Sequence, residues 1–365
     1  MNLPVSPCFA ADYRAARQLF LSAATARGTT VQSHLHPAHR GAQGEELAMD
    51  VAYVGDPAAR GLVVTTSGVH GVEGFCGSGC QVALLRDDAF MARREQSGVA
   101  MLFIHAVNPW GFSHLRRVNE DNIDLNRNFI DHDAAVMADA AFDQLHPLLV
   151  PAQWPPAPQD VAALDAYIAT HGMRGFQGVL MRGQRTHTDS LFHAGRAPAW
   201  SNTTLRQVLA QYGAARRQIA WIDLHTGLGP AGVGEKLYVG DADPAELARA
   251  RATWGADLID IRAGGSVSEE VHGPAATCLT AACPGVAVQR MALEYGTVPF
   301  MDIVQAMRAD QWLVNRRGDA TPDQHRQIKQ ALRDAFYIDS DEWRAAVVAQ
   351  ARAGALSAVL SLAAP

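Results

Sequence analysis

The sequence predicts an α/β protein with a mixed, mostly parallel central sheet and helices on both of its faces. Three observations lead there. Short apolar runs such as "GLVVTTSG", "VAMLFIHAVNP" and "RQIAWIDLHTG" lack the alternation of a half-exposed strand, so they read as strands covered on both faces. Stretches with apolar residues at helical spacing stand between them, the alternation that builds parallel sheets. Polar residues collect just after several of these strands, where open α/β sheets hold their ligands.

The elements follow in order. Residues 12–26 place Tyr13, Ala16, Leu19, Phe20 and Ala23 at helical spacing. "ELAMDVAYVG" and "GLVVTTSG" read as adjacent strands, the second central because it is nearly all apolar. "GSGCQVALLRDD" is a helix, "VAMLFIHAVNP" a buried strand ended by Pro109, and "VMADAAFDQLHPLL" a helix. "VPAQWPPAPQD" is the proline-rich break, read as a surface loop. "VAALDAYIATHG" is a helix ended by Gly172. "RQIAWIDLHTG", "EKLYVG", "DLIDIRAG" and "VAVQRMALEYGT" are strands, with "DPAELARARATWG" a helix among them. From Phe300 to Ala355 the chain is mostly helical.

Composition narrows the class. The 365 residues are 48% hydrophobic and 19% charged, an ordinary globular balance with enough apolar content for a large core. We expect one domain over 1–365, with an insertion at about 150–205. A net charge of −6 argues against nucleic acid or an anionic membrane surface as the main partner. No uninterrupted apolar stretch approaches the roughly 18 residues of a membrane span. Asp12, Arg14 and Arg17 interrupt the start where a signal peptide needs an apolar run. The five cysteines, Cys8, Cys76, Cys80, Cys278 and Cys283, are an odd and sparse set, which fits a reducing compartment. The expected location is the cytoplasm.

Four predicted strand ends carry candidate chemistry. "SGVHGVEG" presents His70 and Glu73 three positions apart, either in an ordinary strand-to-helix turn or as two ligands of a metal. A hydrolytic zinc site would need a third ligand, and His225 in "WIDLHTG" is the best candidate, with Asp223 beside it either to orient the ring or simply as a strand-end residue. "HAVNPWGFSHLRRVNEDNIDLNRNF" concentrates Asn108, Arg117, Asn119, Asn126, Arg127 and Asn128. Such donors suit a carboxylate or a polarised carbonyl, and equally a polar network bracing a long loop. The bracing role fits Asn119, Asn122 and Asn128 better. Cys76 and Cys80 match no zinc spacing and read as buried thiols.

Taken together, the motifs "HGVE", "NPWG", "RVN", "DLNRNF", "DLHTG" and "LEYGT", in that order from about Ser67 to Thr297, resemble the zinc carboxypeptidase superfamily. The likeness is nearest to a bacterial deacylase-like branch of it, related to aspartoacylase and succinylglutamate desuccinylase. The resemblance implies one Zn2+ per chain held by His70, Glu73 and His225. It implies that Arg117 polarises the scissile carbonyl, that Asn126 and Arg127 hold a substrate carboxylate, and that Glu294 serves as general base and acid toward a zinc-activated water. The expected substrate is a peptide C-terminus or an N-acyl amino acid, an amide next to a carboxylate. A binding protein on a hydrolase scaffold is the alternative. A serine hydrolase is disfavoured because no G-x-S-x-G elbow exists. The interval from Arg127 to His225 is longer than in the digestive carboxypeptidases. Its "QGVLMRGQRTHTDSLFHAGRAPAWSNTTL" is either a lid or substrate wall or a packed surface excursion.

Overall fold

The computed structural model describes residues 4–136, 139–263, 266, 270–316 and 318–363. Residues 1–3, Met137 and Ala138 of the predicted helix at 136–149, and Gly264 of the predicted strand at 257–264 lie outside the described residues.

Eight strands form one sheet: β1 (Val31–Arg40), β2 (Glu46–Val54), β3 (Gly61–Ser67), β4 (Ala100–His105), β5 (Gln218–Ala231), β6 (Gly234–Tyr238), β7 (Ile259–Asp260) and β8 (Ala287–Gly296), in the order β1-β2-β4-β3-β5-β8-β6-β7. The inner four, β4, β3, β5 and β8, run parallel, and their carboxyl ends meet on one side. β2 and β6 flank them antiparallel. The mixed, mostly parallel sheet is thus as expected.

Three details differ. β2 and β3, expected side by side, are separated by β4, which is buried on both faces and so takes an interior place. "DLIDIRAG" contributes only the two residues of β7 before a 3-10 turn, and both of them are half-buried. β1 has no counterpart in the expected elements. It is a largely exposed edge strand whose pairing with β2 slips between Leu35 and Arg40, around Pro37, so it carries no apolar signature.

Helices α1 (Tyr13–Ala26), α2 (Gly74–Arg86), α3 (Asp88–Ser97), α4 (Pro109–Ser113), α5 (Ala140–Leu149), α6 (Pro158–Met181) and α7 (Trp200–Gly213) precede or connect the first strands. α8 (Pro244–Trp254), α9 (Cys278–Ala282), α10 (Phe300–Asn315), α11 (Pro322–Phe336) and α12 (Asp341–Ala363) follow. Asp12 caps α1, its side chain accepting from the Ala15 amide at 2.8 Å. α6 breaks at Gly172, whose φ of 72° is left-handed, so the helix read from sequence ends there and a second one runs on to Met181.

Alternate residues of the inner strands feed two cores. Val63, Ala220, Ile222 and Leu293 join α1, α2 and α12 on one face. Leu62, Val64, Ile219 and Trp221 join α7 and α9 on the other. The helices therefore cover both faces, as period-two burial of a parallel sheet requires. α12 is long and apolar enough, by length and composition, to cross a membrane. Here Val347, Val348, Ala351, Ala355, Ala358 and Val359 are buried in the first core, the role of a central helix in a globular domain.

His105 closes β4 inside that first core. Its ring stacks on Phe20 at 4.6 Å and its Nε2 meets Ser78 Oγ at 2.8 Å. Burial pushes the imidazole down from 6.5 to about 4. The unfolded chain therefore takes up a proton at a higher pH than the folded one, and stability present above pH 6.5 is lost as pH falls toward 4. Between pH 7.5 and 5 this group should remove about 2 kcal/mol. Denaturant unfolding of wild type and His105→Gln at both pH values should show the wild-type advantage shrinking by that order.

Candidate metal centre

The turn after β3 is built by close approach. The β3–β4 ladder continues past the strands, with the Val107 amide donating to Ser67 O at 3.0 Å and the Asn108 amide to Gly68 O at 2.8 Å. The chain then makes a 3-10 turn, Gly71–Glu73, into α2. That turn docks on the "NPWGFSHLRR" segment: the Gly71 amide donates to Arg117 O at 3.0 Å and the Val72 amide to Arg116 O at 2.9 Å. A Cβ on Gly71 would lie 2.1 Å from the Gly111 carbonyl carbon, and one on Gly74 would lie 2.5 Å from the Phe112 ring. Of the glycines of "HGVEG", Gly71 lets two backbones touch and Gly74 makes room for the Phe112 ring. Asn108 holds the other side, its Oδ1 accepting from the Gly111 amide at 2.8 Å.

His225 and Glu294 arrive by sheet register. They are paired positions on the parallel strands β5 and β8, so both project from the same face, side by side just past the carboxyl end of β3. His70, Glu73 and His225 are all buried, and one ligand atom from each lies within 4.8 Å of the others. Glu73 stands between the rings, Oε1 at 2.8 Å from His70 Nδ1 and Oε2 at 2.9 Å from His225 Nδ1. Burial alone would raise the Glu73 carboxyl, but His70 and His225 outweigh it and hold it below the usual carboxylate range. His225 is raised: burial lowers it, but Asp223 and Glu73 prevail.

The far nitrogens are held by carboxylates. A chain of hydrogen bonds steadies the carboxylate behind His225. Trp221 Nε1 donates to Thr66 Oγ1 at 2.7 Å, Thr66 Oγ1 donates to Asp223 Oδ1 at 2.6 Å, and Asp223 Oδ2 lies 2.8 Å from His225 Nε2. A carboxylate only accepts, so Nε2 donates to Asp223, and Nδ1, on the Glu73 side, is the nitrogen that would turn to a metal. His70 has the same arrangement: its Nε2 lies 3.1 Å from Asp124 Oδ1. Two imidazole nitrogens and one carboxylate, with the outer ring nitrogens backed by Asp223 and Asp124, fit a hydrolytic zinc site.

Arg117 sits on this cluster. Its Nη1 donates to Glu73 Oε1 at 3.0 Å and its Nε to Asp124 Oδ2 at 3.1 Å, while Nη2 lies 2.8 Å from His70 Nε2. His70 Nε2 cannot both donate to Asp124 and accept from Arg117. A metal on Nδ1 would decide for Asp124 and free Nη2. Burial would raise Asp124, but Arg117, His70 and Arg127 hold it well below the usual range. Glu294 behaves oppositely. Oε1 accepts from the Leu228 amide at 3.1 Å, and its open side is the cavity itself. Crowding by surrounding protein, then the nearby Glu73 charge, push it up to about 7.

Asn126 and Arg127 line the same cavity. Asn126 Oδ1 accepts from the Ala275 amide at 2.8 Å, which leaves Nδ2 open. Arg127 donates from Nε to Met181 O and from Nη1 to Asn126 O, and among the described residues none accepts from Nη2. The remaining polar residues of this segment brace it. Asn119 Oδ1 accepts from the Ile123 amide at 2.8 Å, and Asn122 Nδ2 donates to Thr188 O and Ser190 O. Asn128 bonds Ala194 O and Ala197 O. Arg116, next to Arg117, turns away to Asp310 at 2.8 Å.

The structure thus gathers the seven residues to which the resemblance gives a role around one cleft. Its apolar lining includes Leu237 of β6, Ala292 of β8, Phe300 and Ile303 of α10 and Phe336 of α11. Met181 and Phe192, from the 150–205 region, close one side. Cys76 and Cys80 are buried free thiols beside α2's core face, and neither lines the cleft. Sequence reasoning passed over Asp124, although "DLNRNF" contains it, and the aromatic walls, whose only signal is apolar character. Gly71→Ala should cost about 1–3 kcal/mol through the forced backbone shift, read as a lowered unfolding temperature.

Fold and site define a mixed-sheet α/β protein with a candidate two-histidine, one-carboxylate metal centre at its strand ends. The chain belongs to the family described as Protein of unknown function (DUF2817), which matches residues 9–350. No curated protein matches it. Solved structures similar to it include the carboxypeptidase A from Helicoverpa armigera, 14% identical, covering 94% of this chain and 73% of that one with a TM-score of 0.42. Another is a metallo-carboxypeptidase from Burkholderia cenocepacia, 13% identical over 95% of this chain and 68% of that one, TM-score 0.41. A third is a succinylglutamatedesuccinylase/aspartoacylase from Rhodobacter sphaeroides, 15% identical over 84% of this chain and 64% of that one, TM-score 0.35.

Proposed function

We propose that this protein is a zinc-dependent hydrolase that cleaves an amide bond adjacent to a carboxylate, in a peptide C-terminus or an N-acyl amino acid. The observation that carries the reading is the convergence of His70, Glu73 and His225 with Glu294 in register beside them. When bound, a zinc ion supplies Lewis acidity to this site, toward a carbonyl oxygen and a water molecule.

The chain's own groups divide the remaining work. Glu294, with its carboxyl near 7, can hold a proton at one stage and release it at another, the property a general base that later acts as an acid requires. Its Oε1 is committed to the Leu228 amide, so the proton would be exchanged at Oε2. Arg117 Nη2 would meet the carbonyl oxygen where negative charge develops. Asn126 Nδ2 and Arg127 Nη2 would take the substrate carboxylate, and Arg127, being buried, would offer its charge undiluted by water. The apolar walls favour apolar groups on both sides of the amide and exclude water from the reacting bond.

Elemental analysis of the purified protein, with a screen of N-acyl amino acids and peptides, tests this reading. His225→Ala should lose both metal and activity. Glu294→Gln should keep the metal and lower turnover by about 10²-fold or more. Full activity in Glu294→Gln would remove it from the mechanism, and a wild type that takes up no metal at His70, Glu73 and His225 would sink the whole reading.

A further inference from the structure

A second group of metal-ligating side chains stands apart from the cleft and shares no residue with it. His146 lies in the last turn of α5, and His187 and Asp189 lie in the segment between α6 and α7. The two rings stack at 4.0 Å with 21° between their planes. One ligand atom from each of the three residues lies within 4.8 Å of the others.

Three features distinguish this cluster from a chance surface meeting. Asp143, one turn back along α5, lies 2.8 Å from His187 Nε2, so His187 Nδ1 is the nitrogen left for a ligand. Asp189 Oδ1 stands 3.9 Å from His146 Nε2, beyond hydrogen-bond reach, and His146 Nδ1 is buried with no partner among the described residues. The two imidazoles are therefore faced by two carboxylates, whose negative charge a cation would offset.

We propose that His146, His187 and Asp189 form a second metal site, specific for borderline divalent transition ions of the Zn2+ class. Two imidazoles and one carboxylate select such ions over Mg2+ or Ca2+, which prefer all-oxygen shells. Ligand distances of roughly 2.0–2.2 Å place donors about 3.3 Å apart, so the cluster must draw in. Asp189, whose side chain is 63% exposed, has the freedom to do so. Water completes the coordination. The site would fasten α5 to the segment that carries Phe192. That segment is already drawn together by Gln184, whose Oε1 accepts from the His187 amide at 2.8 Å and whose Nε2 donates to Leu191 O at 3.2 Å. Phe192 in turn lies under the guanidinium groups of Arg117 and Arg127, 5.2 Å from each. A surface ion would thereby steady one wall of the cleft.

The test is equilibrium dialysis of chelator-stripped, full-length protein against zinc chloride at rising concentration. Wild type is compared with a His146→Ala, His187→Ala double variant. The comparison counts a difference between chains, so it is independent of what His70, Glu73 and His225 hold. The variant should bind one equivalent of zinc fewer per chain at saturation, with circular dichroism and unfolding temperature unchanged. Asp189→Asn, which leaves both imidazoles in place, should bind that same equivalent about tenfold or more weakly. Equal zinc stoichiometry in wild type and double variant overturns the site. If the double variant fails to fold, Asp189→Asn decides: unchanged affinity for every equivalent overturns it, and a weakened single equivalent supports it.

Discussion

A carboxylate buried with both oxygens must have each of them answered, because an unpaired buried charge costs several kcal/mol. Glu73 is that carboxylate here, and much of the molecule is arranged to answer it. His70 and Arg117 meet Oε1, while His225 and the Thr226 amide meet Oε2. These partners come from the turn after β3, the segment after α4 and β5, so satisfying one side chain ties three distant stretches together. The same demand explains why the sheet ends so abruptly in polar residues. Strands that are apolar through most of their length must deliver charge at one end without letting water in.

The parallel sheet makes this delivery economical. Register on β5 and β8 puts His225 beside Glu294 with no further device, and register on β3 and β5 puts Thr66 beside Asp223. Neighbours with similar chemistry then acquire different character from position alone. Glu73 lies between two imidazoles and an arginine and stays ionised. Glu294, a strand away, has a backbone amide and the cleft, and its carboxyl sits near 7. Arg116 and Arg117 diverge in the same way, one into an anchor with Asp310 and the other onto the cluster.

Much of this was legible in the sequence, and the reason is physical. Strands buried on both faces leave apolar runs, and side chains fixed at strand ends leave polar residues at the end of those runs. "GLVVTTSGVHGVEG" and "RQIAWIDLHTG" show both marks, and their apolar runs are β3 and β5, whose polar residues meet at the cleft. What escaped was whatever depends on partners far along the chain. β1 is an edge strand that buries little, so its letters carry no pattern. The intrusion of β4 between β2 and β3 depends on which strand gains most from an interior slot. Asp124 reads as one polar letter among many in a polar segment. Only the fold shows that it backs His70.

The hydrogen-bond chain behind His225 has an orientation as well as a geometry. An indole can give a proton and cannot take one, so Trp221 obliges the Thr66 hydroxyl to accept from it and to donate to Asp223, while the other carboxylate oxygen faces the ring. A hydroxyl in place of the indole would let Thr66 turn its proton away and leave Asp223 Oδ1 unanswered. The large aromatic in β5 looks like packing, and it is. It also steadies the carboxylate that faces the ring, a brace that runs from the hydrophobic interior outward.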